Sequence, residues 1–209
     1  MLSAQRKTTA LGAERKQAIL SAAREEFEKN GYAGSRMQRI ADSAGLPKAN
    51  VHYYFRSKRE LYNSVLEEVV LLWNQAFPTL DPEDDPRTVL AEFVSKKVEF
   101  TRMYPEATRI FASEMLHGAP HLSAALNEQM NAWTRDRVNV IEEWIRREKI
   151  RSIDPYHLIF MIWSSTQHFA GYEAQIKSIY GIRNLGQKEF DAQARSLTEM
   201  VYRICGLES

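Results

Sequence analysis

The sequence predicts an all-α protein, an N-terminal three-helix helix-turn-helix head on a larger C-terminal helical domain. Three observations predict it. Apolar residues recur at helical spacing along most of the chain, as Ile19, Ala23 and Phe27 do in AERKQAILSAAREEFEKN. Glycines, prolines and Ser or Asp caps punctuate these segments where helices start and stop. No segment shows sustained strand alternation; the one rival, LIFMIW (158–163), follows Asp154-Pro155 and continues with polar helical spacing, which assigns it to a buried helix.

The first helix carries the Ile19, Ala23, Phe27 stripe and stops at Gly31. Ser35 and Gln38 read as an S-x-x-Q capping box that opens a short second helix ending near Ala44-Gly45. Pro47 suits the first position of a third helix, where its missing N–H costs nothing. Ser57 and Glu60 form a second capping box, S-K-R-E, and start a long fourth helix that Pro78 ends. After the polar loop LDPEDDP, Pro86 opens a helix that breaks at Tyr104-Pro105, and a further break lies at Gly118-Ala119-Pro120. A long helix then runs to about Lys149, Asp154-Pro155 caps one running towards Gly181, and a last amphipathic helix ends near Gly206. The expected domains are 1–56, an N-terminal arm with the DNA-binding head, and 57–209, a ligand-binding and dimerisation domain. Helix 57–77 joins them.

Composition narrows the class. At 44% hydrophobic and 26% charged residues the chain suits a soluble globular protein. Its longest apolar run is too short to span a bilayer, and the polar, basic N-terminus lacks a signal-peptide core. A single cysteine, Cys205, excludes an internal disulfide and fits a reducing cytoplasm. The net charge of +1 conceals an asymmetry: residues 1–64 hold 12 Lys and Arg against 6 Asp and Glu, whereas residues 65–209 hold 16 against 21. A basic first third suits a polyanion-binding head.

Three short helices with a tight Ala-Gly turn before the third form a helix-turn-helix pattern. At about 100° per residue, Val51 and Phe55 point inward towards Phe27 and Ile40. Ala49, Asn50 and Tyr53 fall on the opposite face, with His52 and Tyr54 at its borders. Lys48 leans coreward, but its long stem reaches solvent from the first turn. Asn50 has the amide geometry to pair with an adenine edge. Tyr53, Lys48, Lys58 and the helix start at Ser35-Arg36 supply phosphate contacts.

Catalytic chemistry finds no foothold. The chain has no G-x-S-x-G, Walker or G-x-G-x-x-G motif. His117 and His121 have metal spacing only on a continuous helix, and Gly118-Ala119-Pro120 interrupts it. No metal, cofactor or enzymatic activity is expected.

The stretch GYAGSRMQRIADSAGLPKANVHYYFRSKRELYNSVL resembles the DNA-binding module of TetR-family transcriptional regulators, through I-A-x-x-A-G, the Y-x-F of YYF and S-K-x-x-L. Leu46-Pro47 stands where the family commonly has valine-serine, and His52 where it often has tyrosine. The resemblance implies a bacterial, cytoplasmic regulator, found on the nucleoid when DNA-bound. It also implies a homodimer on a palindromic operator, the third helix lying in the major groove. The last two long helices, with LIFMIW and Leu197, Met200, Val201 and Ile204, would form the dimer interface.

The body resembles a pyrimidine-responsive branch of that family in EMLHGAP (114–120) and IDPYHLIFMIWSSTQHFA (153–170), which implies uracil or thymine as effector. It also makes TRMYPEATRIFASEML (101–116) the lead-in to the pocket wall. A planar pyrimidinedione needs a stacking surface, from Trp163 or from Trp73 and Phe77. Gln167, at i, i+4 from Trp163, offers an acceptor and two donors for its imide edge. His168 is a further candidate contact, turned about 100° from Gln167. Core packing remains the alternative role for each tryptophan.

Overall fold

A computed structural model describes residues 2–76 and 79–207, with side chains described over 11–75 and 79–207. Phe77 and Pro78, an expected ligand contact and an expected helix stop, lie outside the described residues. Among the described residues every regular element is a helix. In order these are α1 (Leu2–Gly34), α2 (Met37–Ser43), α3 (Lys48–Tyr54), α4 (Lys58–Ala76), α5 (Pro86–Met103), α6 (Pro105–Leu116), α7 (Ala124–Arg146), α8 (Pro155–Gly171), α9 (Glu173–Tyr180) and α10 (Gln187–Cys205).

The chain divides into two compact units. One contains the residues through Val69 together with Arg109–Ser123; the other contains Val70–Thr108 and the chain from Ala124 onward. In the first, Ile19, Ala23 and Phe27 of α1 are buried with Ile40, Val51 and Phe55, as helical periodicity requires. α1 packs on α2, and α2 on α3. Gly31 breaks α1 with φ +63°, a conformation that other residues enter only with strain. Gly45 (φ +66°) makes the turn between α2 and α3, where the Leu46 N–H returns to the Ala41 carbonyl at 3.0 Å.

The caps are partly as the sequence indicates. At α4 the Glu60 N–H donates to Ser57 Oγ at 3.1 Å, while the Glu60 carboxylate takes the Arg56 N–H at 2.9 Å. The expected box at α2 does not form. Ser35 is buried, and its Oγ donates to the carbonyls of Glu26 (3.1 Å) and Gly31. Gln38 reaches Asp42 instead. Glu26 of α1 takes over the capping role by accepting the Arg36 N–H at 3.0 Å and the Arg39 guanidinium at 2.7 Å. Pro47 stands just before α3, one position earlier than expected.

In the second unit α5 packs against both α8 and α10, and α8 also meets α7 and α9. α5 and α8 start alike. Asp85 and Asp154 each accept an N–H three residues on, from Thr88 and His157 at 3.1 Å, and proline occupies the first turn. The helix expected to reach Gly181 is two helices, α8 and α9, which part at Gly171 and Tyr172. Glycine weakens the helix there, and the Tyr172 N–H closes α8 on the His168 carbonyl at 2.9 Å. LIFMIW is only half inside: Leu158, Ile159 and Ile162 are buried, whereas Phe160 is exposed. Val201, expected in a dimer stripe, is buried within its own subunit, while Met200 and Ile204 are exposed.

Candidate functional sites

α3 presents the first candidate site. Lys48, Ala49 and His52 are exposed, Tyr53 is 83% exposed, and Asn50 and Tyr54 are half-buried. The buried pair Val51 and Phe55 fixes this orientation. Tyr53 and Tyr54 meet edge to face at 5.2 Å. The result is a small surface of amide, hydroxyl, imidazole and ammonium groups on a rigid seven-residue helix, with exposed Arg36, Arg56 and Arg59 also in this unit. Such a face can enter a DNA groove and grip phosphates.

Two expected phosphate contacts have other employment. Ser35 is turned inward, as described, so its hydroxyl does not face solvent. The Lys58 ammonium donates to the carbonyls of Tyr32 (2.7 Å), Ser35 (3.1 Å) and Ala33 (3.4 Å), and lies 4.5 Å from the centre of the Tyr32 ring. It satisfies the carbonyls left open where α1 ends. Its three donors are therefore engaged by the fold, and a phosphate would have to displace one of them.

Below this cap lies a buried polar joint. Glu114, 3% exposed, accepts the His121 N–H at 2.6 Å and stands 3.2 Å from His121 Nδ1. The His121 ring stacks on Tyr32 with centres 3.7 Å apart, and Tyr62 meets it edge-on at 5.5 Å. Burial and the Glu114 carboxylate, which also accepts a hydrogen bond from Tyr62, push the Tyr62 hydroxyl well above the usual phenol range. His117 turns to the Ser113 carbonyl at 2.7 Å. The two histidines thus have separate partners, and no metal-holding cluster occurs among the described residues.

The second unit holds an aromatic cluster. Trp163 of α8 lies 6.1 Å from Trp133 of α7 and 5.9 Å from Phe160. Trp73 of α4 meets Phe100 of α5 at 6.1 Å, and Phe93 meets Trp133 at 6.3 Å. Two cations sit among these rings. Lys97, 3% exposed, places Nζ 5.4 Å from the Trp73 ring centre and 5.9 Å from that of Trp163. The Arg137 guanidinium lies 3.4 Å from the Trp133 ring centre and donates to the Trp133 carbonyl at 3.1 Å. Burial pulls Lys97 down to about 7 and Arg137 down to about 10.

Of the expected ligand contacts, the structure brings Trp73 and Trp163 to the rings around Lys97, and Gln167 follows Trp163 on the same helix face. His168 belongs elsewhere, because the 100° step turns it away. It is exposed and stacks on Tyr172 at 4.6 Å. It lines a groove of about 550 Å³ with residues of α8, α9 and α10, among them Phe169, Tyr180, Gln193, Leu197 and Met200. Lys97 and Arg137 were missed by the sequence reading. Their signal was a cation on an otherwise apolar stripe, four residues after Phe93 and after Trp133 respectively.

Comparison with known proteins places these features. Residues 19–65 match the profile for bacterial regulatory proteins of the tetR family, and residues 66–208 match that for the C-terminal region of YcdC-like proteins. The chain belongs to the TetR family. This TetR-family chain is 40% identical over 167 residues to the HTH-type transcriptional regulator RutR of Escherichia coli K12, spanning 80% of the chain and 79% of that protein. It is 32% identical over 136 residues to the HTH-type transcriptional repressor NicS of Pseudomonas putida, spanning 65% of the chain and 63% of that protein. Its fold resembles the putative regulator SCO4942 of Streptomyces coelicolor, with a TM-score of 0.70 at 24% identity over 90% of this chain and 97% of that one. It also resembles AibR in complex with isovaleryl coenzyme A and operator DNA, with a TM-score of 0.71 at 18% identity over 89% of this chain and 97% of that one. The protein is therefore a DNA-binding transcriptional regulator and not an enzyme. Among the described residues no helix is long and apolar enough to cross a membrane.

Proposed function

We propose that this regulator is a repressor that binds a palindromic operator as a homodimer and leaves it when a small planar effector, uracil or thymine, enters the aromatic cluster. The observation that carries the DNA-binding half is the α3 face, in which Val51 and Phe55 anchor the helix while Lys48, Ala49, His52 and Tyr53 stand outward. Asn50 reads a base in the major groove; Lys48 and Arg36 grip phosphates. NicS, similar over much of its length, is named a repressor. The homodimer is supported by the exposed Phe160, Met200 and Ile204 on α8 and α10. Two heads in such a dimer would meet half-sites about one DNA turn, 34–36 Å, apart. The same reading places the protein in the bacterial cytoplasm, on the nucleoid when bound to its operator.

The effector is argued from the body. Trp73 and Trp163 supply stacking surface, and Gln167 supplies an amide for an imide edge. The stretches EMLHGAP and IDPYHLIFMIWSSTQHFA are what favour a pyrimidine. α4 is continuous through Val69 and Val70, where the two units divide, and so offers a path for coupling. An effector that prefers the arrangement unfit for DNA weakens operator binding, and DNA weakens effector binding by the same factor. A second reading keeps the mechanism with a different ligand, since the similarly folded AibR was crystallised with isovaleryl coenzyme A.

Operator-binding titrations in saturating uracil and thymine test this directly. Affinity is expected to fall; an unchanged affinity with both compounds would sink the pyrimidine reading. In the same assay Asn50→Ala is expected to relax preference at one base position, and Lys48→Ala to weaken all sequences and lower the salt slope by about one.

A further inference from the structure

Lys97 and Arg137 are expensive residues to keep inside. Desolvating a cation costs several kcal/mol, and an aromatic face returns only part of that. Yet both are nearly fully buried, and both border the same ring system: Lys97 approaches Trp73 and Trp163, Arg137 lies on Trp133, and Trp133 and Trp163 are neighbours. Neither side chain can accept a hydrogen bond while charged, and together they offer several donors. A ligand lying against these tryptophans would therefore meet donors from α5 and α7. Gln167, on the Trp163 face of α8, would add an amide able to accept a ligand N–H.

We infer that Lys97 and Arg137 are ligand-binding residues, and that the site selects planar molecules with an oxygen-rich edge, paired carbonyls or a carboxylate, over amine-edged or cationic rings of the same size. The inference rests on reading the aromatic cluster as the effector site, and it adds a rule of selection that the tryptophans alone do not provide. Stacking accepts many flat rings; two buried cations admit oxygen acceptors and reject ammonium or amidinium groups by like-charge repulsion. In a pyrimidinedione, the two carbonyls flanking the imide N–H suit donor, acceptor, donor recognition by Lys97, Gln167 and Arg137. Cytosine replaces one of those carbonyls with an amine and loses an acceptor.

Thermal-shift and calorimetric titrations of the full-length protein with four probes test it: uracil and benzoate as oxygen-edged rings, cytosine and benzamidine as amine-edged ones. At least one oxygen-edged probe is expected to raise the melting temperature, and neither amine-edged probe to do so. Lys97→Met keeps the stem length and is expected to fold, since an apolar side chain suits that interior. It is expected to weaken the bound probe at least about tenfold, as is Arg137→Met. Benzoate binding without uracil binding would overturn the pyrimidine reading and leave this inference standing. The inference fails if no oxygen-edged probe binds, if amine-edged probes bind equally well, or if Lys97→Met binds as tightly as the wild type. Should Lys97→Met not fold, Lys97→Gln decides by the same criterion.

Discussion

α3 and α5 both set cations and aromatic rings on one helix, and they do opposite things with them. On α3, Lys48 and His52 are exposed and Tyr53 is 83% exposed, while the apolar residues underneath carry the packing. On α5, Lys97 is 3% exposed and the rings surround it. The difference lies in how much of each helix is enclosed. α3 is a short helix held through Val51 and Phe55, so its remaining circumference stays in water. α5 is covered by α8 and α10, so even a lysine on its inner stripe is sealed from solvent. Charge that water stabilises on α3 must be stabilised by rings, or by a ligand, next to α5.

The largest expected effect breaks the α3 side of this comparison. Phe55→Ala is expected to cost about 3–5 kcal/mol in urea unfolding, whereas Tyr53→Ala is expected to stay within about 0.5 kcal/mol and to weaken operator binding instead. Equal losses of stability in the two variants would mean that the helix is seated the other way round.

The next effect sharpens the α5 side through pH. The Lys97 ammonium has a folded pKa of about 7, below its ordinary 10.5. Between those values the unfolded chain binds more protons, so stability rises with pH, by at most about 1.4 kcal/mol per pH unit. Wild type is therefore expected to gain on Lys97→Met between pH 7 and 9 in parallel urea titrations. Cys205, pushed by burial from 9.0 up to about 11, acts in the opposite direction at higher pH, so the comparison belongs below 9. A difference that stays flat over this window would place Lys97 in water rather than among the rings.

Smaller again is Tyr62→Phe, which deletes the hydroxyl that donates to buried Glu114. About 1–2 kcal/mol is expected, measured by urea unfolding. A neutral outcome would show that Glu114 is satisfied by His121 alone. At the bottom of the scale, Arg146→Ala removes an exposed partner of Glu143 and is expected to leave the melting temperature unchanged.

What the sequence made legible was whatever local periodicity and caps control. The inward Val51 and Phe55, the outward Tyr53, the Asp-Pro starts of α5 and α8, and the stops at Gly31 and Gly206 all follow from spacing of a few residues. Partners distant in sequence were harder to foresee. Ser35 has the spacing of a cap, but Glu26, nine residues earlier, already serves the start of α2. Lys58 reads as a surface cation until the carbonyls of Tyr32 and Ser35 are seen beside it. Lys97 and Arg137 hold helical positions that their apolar neighbours mark as inward, yet their charge argued for solvent, and tertiary enclosure settled the conflict.

The discontinuity of the first unit bears on protein engineering. Arg109 pairs with Glu28 at 2.8 Å, Glu114 holds His121, and His121 lies against Tyr32. The segment Arg109–Ser123 is thus part of the head although Val70–Thr108 separates it in sequence. A head cut from the chain at Val69 would leave Phe27, Tyr32 and Tyr62 without part of their cover. A head-swap chimera between this protein and another family member would need two crossovers rather than one, carrying Arg109–Ser123 along with the helix-turn-helix.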